Sequence, residues 1–172
     1  MTSYTILKTD LVGDLLLVAT PRELTGVYFH GRKHAPALRD DWKLDPRHPV
    51  LRQAAAELQE YFAGKRKTFS VPLHFDGTDF QHEIWRQIAR IPFGETITYS
   101  ELAELAGAPD AVRAAGTATG QNPLSIIVPC HRVVGKNGKL TGFAGGLDRK
   151  KNLLGIELNP KQLKLEPACA GC

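Results

Sequence analysis

The sequence feature that most constrains this chain is an apolar run, 126–128, that stops at Pro129 and is followed at once by Cys130, His131 and Arg132. Short apolar runs bounded by breakers are usually buried, so the run alone predicts an inert core thiol. However, proline interrupts regular hydrogen bonding just before the cysteine. An imidazole and a guanidinium beside a thiol would also lower its pKa. Both readings remain open at this point, and the reactive nucleophile is slightly favoured.

Composition limits the kind of protein that carries this thiol. The chain has 172 residues, of which 42% are hydrophobic and 23% charged, enough for one ordinary domain or two small ones. No apolar run approaches the roughly 18 residues that a membrane span needs, and the start has no basic-then-apolar signal pattern. The three cysteines form no disulfide framework, which fits a reducing compartment. We therefore expect a cytoplasmic protein with no membrane partner.

The charge distribution is uneven. The net charge of +4 leans mildly towards polyanionic partners. From Cys130 onward there are eight Lys/Arg and three Asp/Glu, so the whole excess lies around and after the thiol. A solvated, lysine-rich surface explains this distribution as well as a phosphate-binding surface does.

The first half predicts a small sheet and one helix. Short apolar or alternating runs separated by turn residues indicate antiparallel hairpin strands at 4–8, 15–19 and 27–30, with a turn at 21–26. Apolar residues at helical spacing indicate a helix from about Pro49. Residues 69–75 alternate as one more strand, which Pro72 would confine to a sheet edge. No motif in this half suggests chemistry, so we expect it to be a folded support.

The second half predicts helices joined by short turns. After a linker and cap at 77–79, apolar residues keep helical spacing until Pro92. Thr98 and Glu101 fit a capping box, because hydroxyl and carboxylate can satisfy each other's free N–H groups. A glycine-containing turn then separates a short helix from a second one around Arg113. Helix, turn, helix is shared by DNA-binding domains and by ordinary helical hairpins.

The second helix of this pair consists almost entirely of small residues, and Arg113 is its one long charged side chain. Small residues permit close helix packing, in which case Arg113 would extend into water. They would equally let the helix enter a DNA groove, with Arg113 taking the place of a displaced base. Residue choice alone leaves both interpretations open.

Four further positions have a structural and a functional interpretation. Asn122 is either an ordinary turn residue or a brace for the cysteine loop. The pair Asn137-Gly138 predicts a tight hairpin turn. Phe143, flanked by glycines, is either part of the core or a stacking surface for a base. Glu157 is an isolated carboxylate in an apolar helix, and His131 is the candidate for the partner that it needs.

We predict an α/β (α+β) protein divided near residue 77. Residues 1–76 would form an N-terminal antiparallel-sheet-plus-helix domain. Residues 77–160 would form a C-terminal helical domain with a helix-turn-helix (winged-helix-like) and the cysteine loop. Residues 161–172 would be a mobile tail, in which Cys169 and Cys172 have CxxC spacing without αβ context, so we expect exposed thiols there.

Several motifs, in one order, resemble the O6-alkylguanine-DNA alkyltransferase family, also called methylated-DNA–protein-cysteine methyltransferases. They are Gly94–Tyr99, Asn122–Pro123, Pro129–Val133 and Gly142–Leu147. The resemblance spans about 79–158, and the N-terminal half is similar to the family only in outline. Phe143 stands where the family has tyrosine, which puts the polarity of the pocket in question. The zinc ligands of the human family member have no counterpart here, so we predict no structural metal.

The resemblance implies a monomeric DNA-repair protein that needs no cofactor. It would bind double-stranded DNA through the minor groove, flip an O6-alkylguanine and move the alkyl group to its own cysteine, once per molecule. For the reaction it implies Cys130 as acceptor, His131 as base through a bound water, Glu157 as the group orienting His131, Tyr99 as donor to the guanine, and Asn122 as brace. For the flipped base it implies Val133, Phe143, Ala144, Ser125 and Lys150. For the duplex it implies Arg113, Ala114, Gly116 and Ser100.

Three other classes of protein fit parts of this pattern. A relative that only binds lesions would need no nucleophile. A winged-helix transcription regulator would need a recognition helix rich in base-reading polar side chains, and this helix offers mostly alanine and glycine. A Cys-His hydrolase would need an oxyanion motif, for which the glycine-rich loop is the one candidate.

Overall fold

The computed structural model describes residues 1–158. The first half forms a four-stranded sheet of β1 (Ser3–Leu7), β2 (Leu15–Ala19), β3 (Leu24–Phe29) and β4 (Lys43–Leu44). The strand order is β3-β2-β1-β4; the first three strands pair antiparallel, and β4 pairs parallel to β1. Helix α1 (Pro49–Phe62) packs against the sheet. The predicted α+β class is confirmed.

The second half is mainly helical. Its elements are α2 (Asp79–Ala89), α3 (Tyr99–Leu105), α4 (Val112–Gly120) and α5 (Leu147–Glu157), with a short parallel pair β5 (Ile97–Thr98) and β6 (Val133–Val134). Helices α3 and α4 form the helix-turn-helix, and α2 packs on both. The predicted capping box is confirmed: the Thr98 hydroxyl accepts from the Glu101 N–H at 3.1 Å, and the Glu101 carboxylate accepts from the Thr98 N–H at 2.7 Å. None of the helices within residues 1–158 is long and apolar enough to cross a membrane.

The predicted turn at 21–26 is wrong in its second half. Strand β3 begins at Leu24, which is fully buried and pairs with Ala19 across an irregularity in the ladder. Burial of Leu24 and the ladder hydrogen bonds stabilise extended backbone where turn-forming residues precede it.

The predicted strand at 69–75 is also wrong, since this segment makes a single bridge, from Leu73 to β3. The buried carboxylate of Glu57, on α1, accepts hydrogen bonds from the backbone N–H groups of Ser70 and Val71. Pro72 has no N–H to donate. Three consecutive residues therefore have no donor left for a neighbouring strand.

The apolar run before the cysteine is buried, as predicted, but it is a compact turn and not a strand. Ile126 has φ 74°, a left-handed conformation that β-branched residues rarely adopt. The N–H of Val128 donates to the carbonyl of Leu124 at 2.8 Å, and the N–H of Cys130 donates to that of Val128 at 2.8 Å. The chain thus doubles back twice before it reaches Cys130, which opens a short 3₁₀ turn, Cys130–Arg132.

The two halves share one continuous core. On the edge of β3, Val27 exchanges backbone hydrogen bonds with Pro123 and Ser125, close upstream of the cysteine loop. On α5, the Arg149 side chain donates to the carbonyl of Val12 at 2.6 Å, and Asn152 donates to that of Leu11 at 2.8 Å. The division near residue 77 stays a prediction. Asn137 and Gly138 have φ 62° and 77°, so the predicted tight turn is confirmed, but it lies in a short 3₁₀ turn, Lys136–Gly138, and no strand follows it up to residue 158, so the predicted hairpin is wrong.

We expect Glu57→Gln to lower the free energy of unfolding by about 2 kcal/mol at neutral pH. The reason is that a neutral amide forms weaker hydrogen bonds with the N–H groups of Ser70 and Val71 than the charged carboxylate does. Urea denaturation measures this change. Glu60→Gln is the matched control, since Glu60 lies on the same helix but its side chain is 48% exposed. Equal losses in the two variants would contradict the role of Glu57.

Candidate active site

A cleft of about 730 Å³ opens between α3, α4, the cysteine loop and the glycine-rich loop. Eight of the residues singled out in the sequence line it: Tyr99, Arg113, Gly116, Asn122, Ser125, Cys130, Phe143 and Ala144. The other six do not: His131, Glu157, Val133 and Lys150 are buried behind its wall, and Ala114 and Ser100 are exposed outside it. The fold thus brings the thiol, a tyrosine hydroxyl and a helix made of small residues to one opening.

Cys130 lines this cleft, and the residue is 8% exposed. Burial raises its pKa, and a hydrogen bond with Asn122 and the charge of Lys150 counteract the rise in part. The prediction that His131 and Arg132 lower this pKa is wrong, because both side chains bind Glu157 instead. The resting cysteine is therefore a protonated thiol, and its use as a nucleophile requires a base.

Asn122 connects two parts of the turn that carries the cysteine. Its buried side-chain amide donates to the carbonyl of Val128 at 2.8 Å, and its side-chain oxygen accepts from the N–H of Leu124 at 2.9 Å. These bonds span the strained residue Ile126. They fix the path of the backbone that leads into Cys130.

His131 and Glu157 form a fully buried pair. The Nε2 atom of His131 lies 2.6 Å from Oε2 of Glu157, and the two side chains are 0% and 1% exposed. Arg132 donates to the other oxygen, Oε1, at 2.6 Å, and to the Ile91 carbonyl at 2.6 Å. Burial alone would raise the pKa of Glu157, but the bonds and charges of His131 and Arg132 lower it to about 2. The carboxylate is therefore charged at neutral pH.

This pairing determines the state of the imidazole. Because the carboxylate accepts at Nε2, the proton of a neutral His131 belongs on Nε2, and Nδ1 carries the lone pair. Within the described part of the chain, Nδ1 has no hydrogen-bond partner although it is buried. Burial lowers the pKa of His131 below its usual value, and the bond to Glu157 offsets this only in part. A neutral imidazole with a free lone pair is the form that can accept a proton.

The first half of the chain contributes to the site, contrary to the prediction that it is only a support. The hydroxyl of Tyr61, on α1, donates to Oε2 of Glu157 at 2.5 Å and lies 3.4 Å from Nε2 of His131. His34, in the loop after β3, lines the cleft. Neither residue had a sequence signal: Tyr61 sits in the apolar stripe of a helix, and His34 in an ordinary polar loop.

Tyr99 and Lys150 meet at the carbonyl of Thr141. Lys150 donates to it at 2.9 Å, and the Tyr99 hydroxyl donates to it at 3.5 Å. The ammonium of Lys150 lies 5.8 Å from the centre of the Tyr99 ring. Burial lowers the pKa of Lys150 to about 8, although the nearby Cys130 favours the charged form. Lys150 is therefore a cation close to its titration point beside the thiol and the tyrosine.

Helix α4 presents two different faces. Ala115 and Ala118 are buried against the rest of the domain, which is the packing interpretation of its small residues. Arg113 and Ala114 are exposed on the opposite face, and Gly116 faces the Tyr99 ring across the cleft. Packing thus accounts for the buried face of the helix, and the predicted DNA contact of its exposed face stays a prediction.

The residues expected to contact a flipped base differ in whether they reach the cleft. Phe143 is half-buried, packs edge-on against Phe29 at 5.3 Å between ring centres, and still lines the cleft, so it belongs both to the core and to the wall. Ala144 and Ser125 also face the cleft. Val133 is fully buried, and its backbone belongs to β6.

No metal site is apparent among residues 1–158, in which no three His, Cys, Asp or Glu side chains are grouped to hold an ion. The tail with Cys169 and Cys172 lies outside the described residues.

Comparison with known proteins gives the family. Residues 2–75 match "6-O-methylguanine DNA methyltransferase, ribonuclease-like domain", and residues 79–159 match "6-O-methylguanine DNA methyltransferase, DNA binding domain". The methylated-DNA–protein-cysteine methyltransferase of Mycolicibacterium paratuberculosis is 44% identical over 146 residues, 85% of this chain and 87% of the relative. That of Methanosarcina acetivorans is 45% identical over 154 residues, 90% of this chain and 97% of the relative.

Solved structures agree. The crystal structure of Mycobacterium tuberculosis OGT in complex with DNA is similar with a TM-score of 0.83 and 42% identity, covering 90% of this chain and 92% of that chain. The O6-methylguanine methyltransferase of the same organism has a TM-score of 0.83 at 40% identity, covering 99% and 98%. The resemblance seen in the sequence is confirmed over both halves: the chain belongs to the 6-O-methylguanine DNA methyltransferase family, the methylated-DNA–protein-cysteine methyltransferases.

Proposed function

We propose that this protein repairs DNA by direct reversal: it removes the alkyl group from O6 of an alkylated guanine and keeps it on Sγ of Cys130. The observation that carries the proposal is the position of Cys130. It lines a cleft that Tyr99 and α4 border, and the buried base His131 is its neighbour in the chain. The crystallised Mycobacterium tuberculosis relative in complex with DNA supports DNA as the partner.

The transfer is a displacement at the alkyl carbon. The thiol proton passes through a water to Nδ1 of His131, and Glu157 stabilises the imidazolium that results. The sulfur of Cys130 then forms a bond to the alkyl carbon as the bond from that carbon to O6 breaks. The bonding electrons remain on the guanine, which gains a proton from the Tyr99 hydroxyl.

A balance of protons and bonds gives the stoichiometry. The thiol proton is held on His131, and the proton that the guanine gains comes from Tyr99. Once the proton on His131 has passed through solvent to the tyrosinate, both side chains are restored, and the products are unmodified guanine and a thioether. Because a thioether does not hydrolyse under these conditions, each molecule acts once and no cofactor takes part.

The protonation states of the wall residues support these roles. Burial raises the pKa of Tyr99, so its hydroxyl keeps a proton to donate at neutral pH. Lys150 lies over the ring of this tyrosine, and its positive charge would stabilise a tyrosinate. The same charge opposes the rise in the pKa of Cys130. One buried cation thus assists both proton transfers.

The duplex is proposed to lie along the exposed face of α4. Ala114 and Gly116 lack bulk, which lets a minor groove approach, and Ser100 lies nearby at the start of α3. Arg113 stands at the rim of the cleft, where it can fill the gap left by a flipped base. Flipping is cheapest for a badly paired base, which favours alkylated guanine without sequence readout.

The flipped guanine is proposed to stack on Phe143. The N–H of Ala144 would bind its edge, with Ser125 beside it, whereas Val133 is fully buried and does not line the cleft in this structure. Phenylalanine supplies the stacking face without a hydroxyl, so this position offers the base no polar side-chain contact. A cytoplasmic location and a monomeric state remain predictions from the sequence.

The first test is incubation with a DNA duplex that carries a single O6-methylguanine. We expect the intact mass to rise by one methyl group, peptide mapping to place it on Cys130, and the reaction to stop at one equivalent. Cys130→Ser preserves size and should gain nothing. Tight binding without an adduct, or an adduct elsewhere, would overturn the proposal.

The second test concerns flipping. We expect Arg113→Ala to slow repair of duplex DNA by roughly tenfold or more, because the flipped state costs a few kcal/mol to maintain. Its reaction with free O6-benzylguanine should hardly change. Arg52→Ala, on the exposed face of α1, is the matched control and should alter neither rate. Equal losses of Arg113→Ala on both substrates would refute the role of Arg113 in flipping.

The third test concerns the buried carboxylate. We expect Glu157→Gln to slow alkyl transfer by roughly a hundredfold, since a neutral amide stabilises an imidazolium poorly. It should also lower the free energy of unfolding by about 3 kcal/mol at neutral pH, because Arg132 loses its buried partner. Denaturant titrations and single-turnover rates measure the two effects.

The stability effect should depend on pH. Folding holds the pKa of Glu157 at about 2, below its ordinary 4.5. The carboxylate therefore stabilises the folded state above pH 4.5, and this contribution is lost as the pH falls towards about 2. The gap between wild type and Glu157→Gln should narrow over that range, whereas the exposed control Glu104→Gln should behave like wild type throughout. A gap that is constant with pH would show that Glu157 does not titrate in this way.

A further inference from the structure

Within residues 1–158, Tyr61 is the one residue of the N-terminal sheet-and-helix half whose side chain hydrogen-bonds to the buried pair of His131 and Glu157. We infer that Tyr61 is a positioning residue for His131: by sharing the Glu157 oxygen that holds the imidazole, it sets how readily His131 takes the thiol proton. This inference rests on the proposed function, because it concerns the base of that reaction. Nothing in the sequence of α1 distinguishes Tyr61 from its apolar neighbours.

The geometry places Tyr61 and His131 on the same acceptor atom. Oε2 of Glu157 lies 2.6 Å from the imidazole Nε2 and 2.5 Å from the tyrosine oxygen. Arg132 occupies Oε1 at 2.6 Å and reaches Oε2 at 3.2 Å. The carboxylate is thus surrounded by donors, and its orientation towards His131 is determined by all three side chains together.

The packing of the Tyr61 ring does not depend on its hydroxyl. Tyr61 is fully buried, and its ring packs against Phe62, Phe69 and Phe93 at 5.6, 5.6 and 6.3 Å between ring centres. A phenylalanine would keep these contacts. Burial and the charge of Glu157 raise the pKa of Tyr61, so the hydroxyl remains protonated and donates to the carboxylate.

The expected effect on His131 has a definite direction. A donor on Oε2 withdraws negative charge from the oxygen that would stabilise an imidazolium. The hydrogen bond from Tyr61 to Glu157 is stronger when His131 is neutral, because an imidazolium would draw negative charge away from the shared oxygen. Tyr61 therefore favours the neutral form of His131. Removing the hydroxyl should therefore raise the pKa of His131.

Other charges face His131 and stay in place when the hydroxyl is removed. Glu157 and Lys150 face it from α5, and Arg132 and Cys130 flank it in its own segment. Glu157 raises the pKa of His131, whereas Arg132 and Lys150 lower it. Since the Tyr61→Phe variant changes none of these groups, a shift can be assigned to the hydroxyl.

The test compares Tyr61→Phe with Tyr4→Phe, which makes the same chemical change on β1, where Tyr4 packs against Trp42. Nitrogen NMR of the histidine rings, with His131 assigned through His131→Gln, gives the pKa of His131 and the ring nitrogen that holds its proton. Single-turnover transfer from O6-benzylguanine, followed across pH, gives the acid limb of the rate profile. Thermal unfolding measures any loss of stability separately.

We expect Tyr61→Phe to raise the pKa of His131 by about one unit, corresponding to one lost bond to a charged group. Because the neutral imidazole is the base, the rate falls as the pH drops through this pKa. The acid limb should therefore move up by about one unit, and transfer below the limb should be about tenfold slower than in wild type. Tyr4→Phe should shift neither quantity.

An unchanged or lowered pKa of His131 in Tyr61→Phe would overturn the inference, even if the variant is less stable, since that result would make the hydroxyl purely structural. So would a shift of equal size in Tyr4→Phe. The NMR titration does not depend on catalysis. If wild-type protein transferred no alkyl group, the proposed function would fail, while the influence of Tyr61 on His131 would still be measured.

Discussion

The buried carboxylate of Glu157 is the interaction on which the site depends. A charge in a protein interior is tolerated only when its acceptor sites are satisfied, and here three donors from two halves of the chain satisfy them. Arg132 neutralises the negative charge, His131 is oriented by it, and Tyr61 donates a hydrogen bond to it from α1. Neither half alone completes the environment of this carboxylate.

The second constraint is the path of the backbone into Cys130. The left-handed Ile126 and the two bonds of Asn122 turn an apolar run back on itself, so that Cys130 lines the cleft. Strain of this kind persists only where the surroundings determine it, and it is common at functional sites. The thiol is kept protonated by burial while its neighbour His131 is kept neutral. Transfer of the thiol proton to His131 is therefore a step that the proposed alkyl transfer requires.

The sequence predicts most of the helices and the pairing of Glu157 with His131. Periodicity and capping gave the helices, since local spacing and the Thr98–Glu101 box act within one turn. The partnership of Glu157 with His131 followed from the cost of an isolated buried carboxylate. What failed depended on distant parts of the chain. Residues 69–75 form no strand because the N–H groups of Ser70 and Val71 donate to Glu57 on α1. Arg132 does not bind the thiol because its guanidinium donates to Glu157 on α5. Tyr61 could not be recognised, because a tyrosine in an apolar stripe carries no sign of what its hydroxyl meets.

In the proposed reaction, the alkyl group moves to the sulfur of Cys130 and stays there. The most direct measurement follows an isotopically labelled methyl group from O6-methylguanine in a duplex, with the DNA in excess. We predict that the label is recovered in full as S-methylcysteine at Cys130, at one equivalent per protein, with none released to solution. Recovery of labelled methanol, or label in solution exceeding the amount of protein, would mean that Cys130 acts as a hydrolytic nucleophile and would contradict the account.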